Sequence, residues 1–213
     1  MTESTMRAAG RPRRYESADE LRILLDSALA VMQRNGYADA AVAHILREAD
    51  LSTRSFYRHF ESKDQLLCAL CRREAEQAAA RLSANVGAAG NPLSALHAWI
   101  DEILGLGHHR ASAARIEVLG SAGARRAEGY LAETRHASRL LMAPLESLLA
   151  DGKADGTFPL ADPVADAALI WSVVWGATGL SPSGPKPSSL DAARRQVRSF
   201  CERALGVGSS RDR

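Results

Sequence analysis

Residues 42–60, VAHILREADLSTRSFYRHF, constrain this chain more than any other stretch of it. Val42, Ile45, Leu46 and Ala49 fall on one face of a short helix, by the spacing that turns an apolar stripe inward. Asp50-Leu51-Ser52 interrupts that helix, and Phe56, Tyr57 and Phe60 mark a second short one. Two short helices about a tight turn make a helix-turn-helix. The turn needs a residue with positive φ. Asp50 stands there, and aspartate tolerates that conformation better than most residues. Ser52 is placed to cap the second helix, so Thr53, Arg54 and Ser55 fall on its first turn.

The surrounding sequence reads as helix throughout. Residues 1–16 are polar and Arg-rich and are expected to be disordered when free. Ser17-Ala-Asp-Glu20 has the form of a capping box, followed by a stripe of Leu21, Leu24, Leu25, Ala28, Leu29 and Met32 that Gly36 ends. Ser62-Lys-Asp-Gln65 forms a second box, opening a long helix with Leu66, Leu67, Leu70 and Cys71 inward. Gly87 to Pro92 breaks the composition, and helices are expected near 93–107, 111–120, 126–151, 163–180 and 190–205. No strand-like alternation appears, so the expected class is all-α. The expected division is a helix-turn-helix head over 17–65, a larger C-terminal unit over 66–207, and a disordered tail over 208–213.

Charge alone decides little. The formal net charge is +2, and residues 1–64 carry ten Lys/Arg against ten Asp/Glu. A nucleic-acid reading therefore rests on where the cations sit. Three cysteines, an odd number, point away from a disulfide framework and towards a reducing, cytoplasmic setting. The N-terminus lacks a secretory signal pattern. The longest apolar run, Ala167 to Leu180, is shorter than the ~20 residues a membrane span needs, and no membrane partner is expected. Neither a nucleophile elbow, a metalloprotease motif nor a phosphate loop is present, so no catalytic residue, metal or cofactor is expected.

In a helix-turn-helix, the first turn of the second helix meets base edges in the major groove. Ser52, Thr53, Arg54 and Ser55 are the candidates, and Arg54 has the fork for a bidentate contact to guanine. Arg11, Arg13 and Arg14, stiffened by Pro12, resemble a minor-groove arm.

Gly36-Tyr37, Val42, Ile45, Ala49, Leu51-Ser52, Phe56-Tyr57, His59-Phe60, Ser62-Lys63 and Leu66-Leu67 together resemble the pattern of the TetR (tetracycline repressor) family, with the right spacing across residues 20–70. The resemblance implies phosphate contacts at Tyr57, His59 and Lys63, and base contacts at Thr53 to Ser55. It also implies about nine helices and dimerisation through the last two. Two departures stand out. Ala40-Ala41 replaces the usual Thr/Ser pair, leaving Asp39 as the expected cap of the second helix, and Asp50 replaces the usual glycine.

The C-terminal half carries two further expectations. The segment from Pro163 to Leu180 is apolar on two sides, so it needs two covers, its own domain and a second copy of the chain. Ala167, Trp171, Val174 and Thr178 form one side, and Ile170, Val173, Ala177 and Leu180 the other. A pocket for a small-molecule inducer is expected among these helices. Its candidate residues are Trp99, Ile103, Ile116, Leu119, Tyr130, Arg139, Met142 and Trp175, with Leu141, Arg115, Glu117 and His136 nearby. Pro144 should kink or end its helix. Cys68 and Cys71 share the inner stripe of the long helix and have no matching Cys/His pair, which favours packing over zinc or redox chemistry.

The reading reached is a homodimeric, ligand-responsive regulator that binds double-stranded DNA, a repressor released from a palindromic operator by a small apolar or aromatic molecule. The alternatives are a DNA-binding regulator without an inducer, and a helical enzyme.

Overall fold

The computed structural model describes residues 16–180 and 189–208. Arg11, Arg13 and Arg14, and the expected tail from 209 onward, lie outside the described residues. Among those described, every regular element is helical, in nine α-helices and one 3-10 turn.

The head is built from α1 (Ser17–Asp39), α2 (Val42–Ala49), α3 (Thr53–His59) and the start of α4 (Lys63–Gly87). Leu24, Ala28, Met32, Ile45, Phe56, Leu66, Leu67 and Leu70 are fully buried together in its core. Helical geometry in α1 breaks at Gly36, φ 76° and ψ 162°, a conformation that costs a residue without a Cβ nothing. The break drops Tyr37 into the head, 6% exposed.

The first capping box does not form. Glu16 is the N-cap and Ser17 is already helical, with no side-chain cap. That start puts Glu20 one full turn inside the helix. Its buried carboxylate instead accepts a bond from Arg58 Nη1 at 2.5 Å and lies 3.4 Å from His59 Nε2, tying α1 to α3. Asp39 does not cap α2 either. The N-cap is Ala41, without a side-chain bond, because Asp39 is still the last residue of α1. The other two signals form: Asp50 takes the left-handed conformation, φ 51° and ψ 42°, and Ser52 Oγ accepts from Ser55 N at 3.1 Å. Ser62 Oγ likewise accepts from Gln65 N at 3.1 Å. Gln65 answers by accepting from Glu61 N at 2.9 Å, one residue upstream of the usual capping-box donor.

The larger unit comprises the rest of α4, α5 (Pro92–His108), α6 (Arg110–Leu119), a 3-10 turn (Ala124–Arg126), α7 (Tyr130–Ala154), α8 (Pro163–Ala177) and α9 (Leu190–Ala204). Asn91, Asp162 and Ser189 cap α5, α8 and α9 through their side chains. α7 begins later than the apolar pattern suggests, since the 3-10 turn and Gly129, φ 81°, intervene. It also continues through Pro144 rather than ending there. Proline offers no N–H to the carbonyl four residues back; in the adjoining turn, Leu141 O accepts the indole N–H of Trp99 at 2.9 Å.

Trp99, Ile100, Ile103, Leu104, Leu145 and Leu149 are fully buried in this second core. Ala167, Ile170 and Val174 of α8 face it too. Ile170 therefore joins the inner side of α8, contrary to its expected place, and the outer side consists of Val164, Leu169 and Val173, all exposed.

Candidate DNA-reading helix and ligand cavity

On the head, α3 presents Thr53, Arg54 and Tyr57 to solvent. Tyr57 is 62% exposed and stands edge-on to the buried Phe56, ring centroids 5.3 Å apart. Phe56 thus anchors the helix from within while Tyr57 points its hydroxyl away. Ser52 is exposed but engaged as the cap. Ser55 and His59 turn inward: Ser55 is buried, its Oγ 3.2 Å from Ser52 Oγ, and His59 faces Glu20. Lys63 Nζ donates to the carbonyls of Tyr37 at 2.9 Å and Ala38 at 3.2 Å, and lies 4.4 Å over the Tyr37 ring. It satisfies carbonyls at the broken end of α1 with two of its three donors.

Asp64 joins the two units. Tyr37 Oη donates to one of its carboxylate oxygens, and Glu128 N, just before α7, donates to the other at 2.8 Å. Burial, and then the Asp64 carboxylate, push the Tyr37 phenol well above its usual range. The Tyr37 hydroxyl, then the Glu128 amide, hold Asp64 below its ordinary 3.8. A depressed folded value means the carboxylate stabilises the fold above its unfolded pKa, and this is lost as pH falls through the folded value. The urea midpoint should therefore fall on acidification from pH 5 to pH 3. In Asp64→Asn the midpoint should be lower at pH 7 and the acid-dependent fall smaller. Parallel pH profiles for the two proteins would exclude this role.

The same corner reaches further into the head. Leu119 and Ala124 belong to the head's core, and Gly123 lies against Tyr37 and Ala38. The segment joining α6 to α7 is therefore packed on the helix-turn-helix.

Its other side is the floor of a half-open cavity of about 1110 Å³ lined by α4 to α8. Of the residues expected there, Ile116, Leu119, Tyr130 and Trp175 line it, as do Leu141, Arg115 and Glu117. Trp99 and Ile103 do not, because the inner face of α5 is consumed by the core. Arg139, Met142 and His136 are also absent from the lining. The cavity face of α7 is Tyr130, Thr134, Ala137, Ser138 and Leu141. At ~100° per residue, Arg139 and Met142 point elsewhere. This mixed stripe of small and hydroxyl side chains was the available signal, and an apolar count passes over it. Cys71 and Ala78 of α4 and Trp171 of α8 also line the space.

Trp171 and Trp175 stack at 5.2 Å with planes 18° apart, and Trp99 meets Trp171 edge-on at 6.3 Å. Glu74 lies 3.5 Å from Arg73 and 3.6 Å from Arg115. Arg125 Nε donates to Gly120 O at 2.6 Å. Burial, then the neighbouring Cys68, push the Cys71 thiol up to about 12. Burial, then Glu133, raise Cys68, which donates to Glu128 O at 3.4 Å. Both are held as thiols, whereas nucleophilic cysteines have lowered values. Among the described residues no group of three or more His, Cys, Asp or Glu is placed to hold a metal, and no helix is long and apolar enough to cross a membrane.

A capped reading helix on a helix-turn-helix head, carried by a larger all-α unit, defines a DNA-binding transcription regulator. Residues 24–70 match the model of the bacterial regulatory proteins of the tetR family. No curated protein matches it. Solved structures share its fold at low identity. A regulator assigned to the TetR family from Mesorhizobium loti is 18% identical with a TM-score of 0.74, over 91% of this chain and 98% of that one. FadR of Bacillus subtilis, in complex with stearoyl-CoA, is 17% identical with a TM-score of 0.69, over 86% and 98%. A regulator from Saccharomonospora viridis, in complex with choline, is 19% identical with a TM-score of 0.72, over 87% and 96%.

Proposed function

We propose that this protein is a homodimeric repressor that holds a palindromic operator through α3 and is released by a small apolar or aromatic molecule bound in the cavity. In this reading the head is residues 17–65 and the sensing and dimerising unit residues 66–207. Thr53 and Arg54 read bases, while Tyr57 and Lys63 touch phosphates. Ser52, Ser55 and His59 keep the reading helix in place, and Arg11, Arg13 and Arg14 reach the minor groove. The uncovered face of α8, with Val164, Leu169 and Val173, and the half-exposed Phe200 of α9 supply the apolar surface for a second copy. Two similar structures hold a small molecule, stearoyl-CoA in one and choline in the other, which supports a ligand in this fold.

One observation carries the reading: the corner from Leu119 to Tyr130 is both the floor of the cavity and a piece of the head's packing. A ligand releases DNA only by binding the incompetent conformation more tightly. Two heads must present α3 about one DNA turn apart, ~34–36 Å. A ligand that lifts the corner, and with it Asp64 at the start of α4, changes that distance. A tenfold loss of operator affinity needs only about 1.4 kcal/mol of coupling.

Operator sequences selected from random DNA, followed by a screen for compounds that release them, supply the materials. Labels at position 61 of each subunit then report the separation of the heads. The separation should lengthen with a releasing compound. An unchanged distance distribution under full release would overturn the swing.

A further inference from the structure

We infer that the cavity takes a flat aromatic molecule carrying an acidic group, with its rings on the Trp171–Trp175 stack and its acid at Arg115 and Arg125. This rests on the reading of the cavity as the inducer site and adds the chemistry of its ligand.

The platform comes first. Two indoles only 18° from parallel and 5.2 Å apart form one extended π-surface, and a third ring continues such a stack at 4.5–7 Å between centroids. Trp99 is fully buried and abuts Trp171, so the platform cannot fold back into the core. The space of about 1110 Å³ lies just above the ~300–1,000 Å³ range of ligand sites. It has room for several fused rings.

Charge then selects the sign of the polar group. The cavity wall carries Glu74, Glu117, Arg81, Arg115 and Arg125. Glu74 already faces two guanidinium groups, Arg73 and Arg115, so its charge is answered before any ligand arrives. Glu117 on α6 and Arg125 on the α6–α7 corner are both exposed and screened by water, which leaves the half-buried Arg115 as the more sheltered charge. Arg81 turns its Nε towards Glu102. Arg115 meets Glu74 through Nε, and Arg125 meets Gly120 O through Nε. In both, the Nη amino groups have no partner among the described residues, and the guanidinium fork matches a carboxylate. Two of the α7 hydroxyls do not compete as donors: Thr134 and Ser138 each donate to a carbonyl of their own helix. An ammonium group would need an uncommitted, sheltered carboxylate, and among the described residues none lines the cavity.

The chain's three tryptophans are Trp99, Trp171 and Trp175, all in or behind the platform, so energy transfer from tryptophan reads the site directly. Full-length protein without DNA is titrated with three probes of one shape: anthracene-2-carboxylate, anthracene-2-carboxamide and 2-(aminomethyl)anthracene. The carboxylate should bind about tenfold tighter than the amide, as charge-assisted bonds outweigh neutral ones, and the ammonium should bind weakest. Arg115→Gln and Arg125→Gln should each weaken the carboxylate several-fold and leave the amide within twofold. Trp175→Leu should weaken both. An amide or ammonium that binds as tightly as the carboxylate, or no binding of any probe at millimolar concentration, overturns the inference. So does an Arg variant that leaves the carboxylate unaffected. Operator release is measured separately. Charge-selective binding without release upholds the ligand class and counts against the inducer reading, and release by the amide alone does the reverse.

Discussion

Arg72→Ala should destabilise the folded chain by about 3 kcal/mol, the low end of what removing one partner of a buried ion pair costs. Glu133 is the reason. Its side chain is 5% exposed in the first turn of α7, and both its oxygens are taken by Arg72 of α4, Nε at 3.0 Å and Nη2 at 2.6 Å. This fork-to-fork geometry also lifts the Arg72 guanidinium above its ordinary value, first through the bonds to Glu133. Arg72 itself is 57% exposed, so the pair's own attraction is screened and the loss comes from the carboxylate left without a partner. In a chain of this size the melting temperature should fall by roughly 6–12 °C. The double variant Arg72→Ala, Glu133→Leu removes the stranded charge and should regain much of the loss. Denaturant titrations of the single and double variants check this. A single variant within 1 kcal/mol of the parent, or a double variant no better than the single, shows that the pair does not hold α4 to α7.

The sequence announced the head where its signals are local. Asp50 and Ser52 each do one job within a few residues of themselves, turning the chain and capping α3, and their types are legible without knowing what packs nearby. Glu20 shows where such reasoning stops. Four residues of the right types at 17–20 suggested a capping box, yet a buried pairing with Arg58, 38 residues on, claims the glutamate. The cavity was less legible for the same reason. Trp99 and Met142 are large and apolar, but whether a residue meets a void or a neighbour depends on helix crossings that periodicity does not contain. The corner from Leu119 to Tyr130 was the hardest to read. Its glycines and alanines look like a linker, and only the assembled fold shows Ala124 fully buried in the head and the Glu128 amide on Asp64.

Arg54→Ala should have the largest effect on DNA recognition. Arg54 stands second in α3, directly after the Ser52 cap, exposed and without a partner among the described residues. Its neighbours differ: Ser55 is spent on Ser52, and Arg58 on Glu20. A guanidinium with no internal duty on the first turn of a reading helix is free to engage guanine bidentately, worth about 1–3 kcal/mol of discrimination. In a dimer the substitution removes this pairing from both half-sites. The preferred operator should therefore bind about thirtyfold less tightly, or weaker still, as two pairings of at least ~1 kcal/mol each disappear. Non-specific DNA should lose only the charge, and the selected sequence should relax at one position per half-site. Tyr57→Phe supplies the contrast. It removes one exposed hydroxyl, leaves the ring against Phe56, and should weaken all sequences alike. Lys63→Ala should also act on all sequences, lowering the salt slope by ~1 for each phosphate no longer neutralised. It carries the added loss of two bonds to the end of α1. Repeating the selection from random DNA with each variant separates these effects. If Arg54→Ala recovers the parent's sequence at the parent's affinity, the base reading belongs to Thr53, the other exposed residue on that turn.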